Sequence, residues 1–113
     1  MADFNDVLIE GRIVKDCLQE TMQNGVSVVR FYIACNEDQK TDTGWLKRAQ
    51  YVEIYIYGGY GVSLQHSLVR SAKVIVRGKI EQQKWESKGG EFHDRLVVVA
   101  NKVRVLSDGR SDG

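Results

Sequence analysis

Residues 51–57 alternate without a lapse: Tyr51, Glu53, Tyr55 and Tyr57 share one parity, and Val52, Ile54 and Ile56 share the other. A period of two marks an extended strand whose faces meet different surroundings, and the aliphatic parity is the one to bury. The tyrosines then point away from the core. Four further segments have strand character: residues 7–13, 26–35, 72–80 and 92–106, rich in β-branched and aromatic side chains. The chain has no proline, so its breaks fall to eleven glycines and to polar clusters. One such cluster, Gln23-Asn24-Gly25, predicts a hairpin-like turn between the first two strands.

The segments between strands are of three kinds. Residues 36–46 are polar and read as an extended loop holding Trp45, while residues 81–91 read as a polar arm tipped by Gly89-Gly90. Residues 60–70 place Tyr60, Leu64 and Leu68 four apart, which predicts a short helix with one apolar stripe. The element order is β-β-β-α-β-β. With 113 residues and 42% of them hydrophobic, the chain suits a single core. The expectation is an all-β, five-stranded oligonucleotide/oligosaccharide-binding (OB) barrel over residues 1–106, with a short helix between strands 3 and 4. Residues 107–113, small, polar and glycine-bearing, read as a disordered tail.

Several function classes are disfavoured. No stretch approaches the roughly 20 consecutive apolar residues that span a bilayer, and the N-terminus has no basic region before an apolar one. Membrane insertion and secretion are not expected. The two cysteines, Cys17 and Cys35, fit a reducing cytosol. Together with His66 and His93 they show no metal-ligand spacing, so neither metal nor cofactor is expected. Gly59-Tyr60-Gly61 begins like a dinucleotide-binding turn but lacks the third glycine, and no phosphate-loop Gly-Lys-Ser/Thr occurs. Neither histidine has a nucleophile at motif spacing. Catalysis is not expected.

The charge is unevenly divided. Residues 1–39 carry a net −4, residues 40–104 a net +6 and the last nine residues −1, for a total of +1. A basic second half that interleaves aromatics suits single-stranded nucleic acid, whose bases stack on rings while its phosphates need cations. The bland alternative is that the tyrosines are good strand formers packed against another subunit, and that the cations are ordinary solvated charges.

The motifs also resemble a family. Asn5-Asp6-Val7-Leu8-Ile9-Glu10-Gly11-Arg12-Ile13-Val14-Lys15-Asp16 is similar to the opening strand of bacterial-type single-stranded DNA-binding proteins. Asn24-Gly25 followed by Val29-Arg30-Phe31-Tyr32-Ile33-Ala34 is similar to their second strand. Tyr51-Val52-Glu53-Ile54-Tyr55-Ile56-Tyr57-Gly58 stands where that family has aromatic-x-x-apolar-x-x-aromatic-Gly, and Val76-Arg77-Gly78-Lys79-Ile80 precedes Lys84-Trp85, a basic residue and a stacking aromatic. The order and spacing of these pieces carry the resemblance over residues 5–106.

It implies that Tyr51, Tyr57 and Trp85 stack on bases, with Trp45 and Tyr55 as further candidates. Arg12, Lys15, Lys73, Arg77, Lys79, Lys84, Lys88 and Arg95 are the candidate phosphate contacts. The implied function is sequence-tolerant binding and protection of single-stranded DNA in replication, recombination and repair. A homotetramer in the cytoplasm, nucleoid-associated, or in an organellar matrix is the implied setting. Relatives continue into a long acidic tail that recruits replication and repair proteins, and this sequence stops before one. Glu53 departs from the pattern: a carboxylate between stacking tyrosines repels phosphate unless a neighbouring Lys or Arg pairs with it. Two other readings stay open, a primosome-type OB-fold accessory protein and a protein–protein assembly module.

Overall fold

In the computed structural model, which describes residues 2–108, the aliphatic parity faces inward: Ile54 and Ile56 are buried, and Val52 packs against the same cluster. The strands in chain order are β1 (Val7–Ile13), β2 (Leu18–Thr21), β3 (Ser27–Thr41), β4 (Gly44–Tyr57), β5 (Lys73–Glu86) and β6 (Phe92–Ser107). They form one sheet in the order β1-β5-β6-β4-β3-β2, and the pairings Arg12↔Ala34 and Ile13↔Ile33 join β1 to β3. Five strands thereby close into an OB barrel. The core is aliphatic, with Phe31 among Ile13, Val29, Ile33, Val74 and Val76, and each such buried side chain contributes about 1.5–3 kcal/mol.

Three local expectations are corrected. The segment expected to be a loop, residues 36–46, is a two-stranded ribbon, paired from Asn36↔Ala49 out to Thr41↔Gly44. Water bathes both of its faces, so it has no apolar period to read; polar cross-strand contacts such as Gln50 Nε2 donating to Glu37 Oε1 at 3.2 Å support it instead. The Asn24-Gly25 turn joins β3 to β2, a four-residue strand exposed throughout, rather than directly to β1. The helix α1 (Gly59–Leu64) and a 3-10 turn (Gln65–Ser67) end before residue 70. Two glycines and Val62 within six residues form too weak a helix to propagate, and the chain leaves the helix in time for Leu68 to enter the core.

The α1 segment is fastened by one hydroxyl. Tyr60 Oη accepts from Val103 N–H at 3.0 Å and donates to Val103 C=O at 3.2 Å, so a side chain completes the hydrogen bonding of β6. Tyr60→Phe strands both backbone groups and is expected to cost about 1–3 kcal/mol. Urea unfolding measures it, and an unchanged midpoint would show that water replaces the hydroxyl freely.

Strand β6 extends through Ser107, one residue beyond the expected domain limit. The rest of the expected tail, from Gly109, lies outside the described residues.

Candidate nucleic-acid interface

The register of β3 and β4 fixes what shares the outer face of the barrel. Val28, Arg30, Tyr32 and Ala34 stand opposite Tyr57, Tyr55, Glu53 and Tyr51, and directly opposed side chains in an antiparallel pair are neighbours. The Ala34–Tyr51 pair is the open end of this row, with Tyr51 67% exposed. Ala34 is also paired with Arg12, which is paired with Lys73. Two cations therefore lie in line with the Tyr51 ring across a small residue.

The other end is packed. Tyr55 is only 8% exposed and forms a second apolar cluster with Val28 and Val97, which Tyr57 and Val99 join. The expectation that all the strand's tyrosines stand open is corrected for Tyr55: β6 crosses beside it, and its hydroxyl accepts from Arg95 Nη2 at 2.7 Å. Its ring offers no free face for stacking or for a subunit contact. Tyr57 meets Tyr55 edge-on at 6.1 Å and is half-buried; Gln83 Nε2 donates to its hydroxyl at 3.3 Å. Burial pushes the Tyr57 phenol up, and Glu81 adds to this against the opposing Gln83 hydrogen bond.

The β5–β6 arm supplies the next ring. Trp85 is paired with His93 and stacks on it at 5.3 Å with planes 20° apart, and the Arg95 guanidinium lies 5.4 Å from the indole centroid. Arg95 thus links Trp85 to Tyr55. It also reaches Glu53, with Nε 3.3 Å from Oε1, so the expected partner of that carboxylate is found. The Tyr55 hydroxyl is the main influence raising both Arg30 and Arg95.

The remaining candidates separate by geometry. Lys79 is paired with Val99 beside the Tyr57 cluster, and Lys15 lines a hollow with Arg30 and Arg95. Lys84 neighbours Trp85 in sequence but is paired with Asp94, and strand alternation puts it on the opposite face of the arm from the indole. Arg77 is held by Asp6 at 2.8 Å and Lys73 by Glu10 at 3.2 Å. Lys88 is exposed in the turn at the arm tip, and Trp45 stands 72% exposed at the far end of the β3–β4 ribbon. The structure therefore brings Tyr57, Trp85 and Arg95 together around Tyr55, and Tyr51 with Arg12 and Lys73, and leaves Trp45, Lys84 and Lys88 apart.

Sequence reasoning passed over Arg30, Tyr32 and His93. Arg30 and Tyr32 were findable, since they alternate with the core residues Val29, Phe31 and Ile33. His93 depends on the register of the arm.

An OB barrel with ring faces and guanidinium groups along one outer side matches a known group. The sequence profile of the Single-strand binding protein family matches residues 4–106. The chain belongs to that family. Among its relatives, a single-stranded DNA-binding protein of Treponema pallidum is 27% identical over 106 residues, which is 94% of this chain and 60% of that protein. One of Borreliella burgdorferi is 26% identical over 110 residues, 96% of this chain and 74% of that protein. The chain thus spans about 60% of the length of the Treponema relative. A solved Plasmodium falciparum SSB complex with ssDNA superposes with a TM-score of 0.78 at 19% identity, covering 95% of this chain and 97% of that one, and shows the shared fold.

Members of this family are DNA-binding proteins, not enzymes, which accords with the expectation from the sequence motifs. Among the described residues no helix is long and apolar enough to cross a membrane.

Proposed function

We propose that this chain coats single-stranded DNA with little regard to sequence, in replication, recombination and repair. The observation that carries the reading is the linked surface of Tyr57, Trp85 and Arg95, continued by Tyr51 beside Arg12 and Lys73. Exposed rings accept bases of any identity because every base has a π-face, while the arginines and lysines neutralise phosphate. A duplex hides its bases inside the stack and cannot use the rings. Family membership supports the reading independently.

Titration of a fluorescent oligo-dT and of its duplex form tests it. The single strand is expected to bind far more tightly, quench tryptophan emission, and lose affinity with salt at a logarithmic slope of about −0.7 per phosphate neutralised. Equal affinity for strand and duplex would sink the proposal.

Assembly as a homotetramer is part of the same reading. Leu8 on β1 and Val14 just after it are exposed apolar side chains, and association would cover them while letting one strand engage several barrels. Light scattering at the mass of one chain would remove this part, and a dimer mass would favour the accessory-protein reading. A cytoplasmic, nucleoid-associated setting follows from the DNA partner. Recruitment of replication and repair proteins is part of this reading only if an acidic tail follows the OB domain.

A further inference from the structure

Between Tyr51 and the Trp85 group lies a stretch of the barrel face that β4 cannot furnish with an open ring. Tyr51 and Tyr57 are six residues apart on that strand, about 20 Å at 3.2–3.4 Å per residue. Of the two outward positions between them, Glu53 carries a carboxylate and Tyr55 is buried. The neighbouring strand fills the gap. Tyr32 on β3 stands directly opposite Glu53 and is 46% exposed. Because Tyr51 is paired with Ala34, Tyr32 is its diagonal neighbour, a relation that spans about 7–8 Å and is within reach of aromatic side chains. On its other side Tyr32 borders the same hollow as Glu53 and Arg95, and Arg95 lies over Trp85.

The ring is not committed to the fold. The hydroxyls of Tyr55, Tyr57 and Tyr60 are bonded to Arg95, Gln83 and the Val103 backbone, and the first two rings pack in the second apolar cluster. Tyr32 belongs to neither core cluster. Charge around it nearly cancels: Glu53 is met by Arg95, Arg30 is held by Glu20 at 2.8 Å, and Lys15 stands next to Asp16. What this part of the face offers is a flat apolar surface and not a cation. Such a surface holds a base, of any identity, rather than a phosphate.

We propose that Tyr32 is a further base-stacking residue, the ring that carries a single strand across β3 from Tyr51 to Trp85 and makes one track of the two groups. It rests on the single-strand binding reading and adds to it both a residue and a route. The route is transverse, over Tyr32 and the neutralised Glu53–Arg95 pair, instead of along β4 past Tyr55.

Two measurements on the intact chain test it. In the first, Tyr32→Ala and Tyr32→Leu are each expected to weaken binding of oligo-dT at least about fivefold, the low end for one stacked ring. Tyr32→Phe should stay within about twofold of wild type. The logarithmic salt slope should be the same in all four proteins, since no charge is removed. In the second, which needs no variant to fold, wild-type protein bound to oligo-dT carrying spaced 5-iodouracil is irradiated and the adducts are located by mass spectrometry. Tyr32 is expected among them. Adducts at Tyr51 and Trp85 with none at Tyr32 would overturn the route and leave the coating function standing. Wild-type affinity in Tyr32→Ala would do the same, and so would full affinity in Tyr32→Leu, because bulk and not a ring would then be what the site needs. Failure of the wild type to bind oligo-dT would remove the coating function and the route together.

Discussion

Gly78→Ala is expected to prevent the barrel from closing. A Cβ at this position would overlap the carbonyl oxygen of Val99 and lie 2.8 Å from the Cα of Ala100. Both are backbone atoms of the adjoining strand, so no side chain can swing aside to relieve the clash. Gly78 is paired with Ala100 while its neighbour Arg77 is paired with Lys102, so β6 carries an extra residue, Asn101, as a bulge at this point. The close approach therefore sits where β6 changes which parity faces inward: Val98 and Ala100 before the bulge, Val103 after it. Losing this junction is expected to cost at least about 4 kcal/mol, a large share of the roughly 5–15 kcal/mol that a domain of this kind holds. The variant should be insoluble or melt without cooperativity. Gly89→Ala, where nothing lies within 4 Å, is the control, and its stability should change by no more than about 0.5 kcal/mol. A Gly78→Ala protein with a wild-type denaturation midpoint would show that the strands separate here at little cost.

The same bulge shows why part of the architecture was legible and part was not. Val52, Ile54 and Ile56 announce their strand because one face is dry and the other is not, and alternation records that difference. The ribbon at residues 36–50 and strand β2 are wet on both faces, so the pairing that defines them leaves no mark on the apolar pattern. The 92–106 segment reads as one uninterrupted strand, and the phase slip at Asn101 emerges only from its pairing with β5. At the site, alternation places Tyr55 and Glu53 on the face opposite Ile54 and Ile56 but says nothing of what lies over that face, and both are buried there. It is Arg95, forty residues away in sequence from Tyr55, that covers it. The separation of Lys84 from Trp85 needed only the parity rule, since adjacent strand residues cannot share a face. Proximity in sequence was there the wrong measure.

Removing two exposed rings together, in Tyr51→Ala/Trp85→Ala, is expected to weaken binding of oligo-dT by about thirtyfold or more. Each ring contributes about 1–3 kcal/mol when it stacks on a base. The two stand on different strands with no ring contact between them, Tyr51 on β4 and Trp85 against His93 on the arm, so their effects should add. The salt slope separates this effect from a general loss of fit. Neither side chain carries charge, so the logarithmic slope should stay at its wild-type value while the affinity falls. Arg12→Ala/Lys73→Ala should do the reverse, flattening the slope by about 0.7 for each phosphate that is no longer neutralised. Only two tryptophans are present, so the Trp85→Ala chain also isolates the emission of Trp45. Quenching that persists in it would place the far end of the β3–β4 ribbon on the path of the strand; quenching that vanishes would confine the path to the barrel face and the β5–β6 arm. Wild-type affinity in the double variant would mean that open rings are not what holds the bases, and the coating mechanism would have to rest on charge alone.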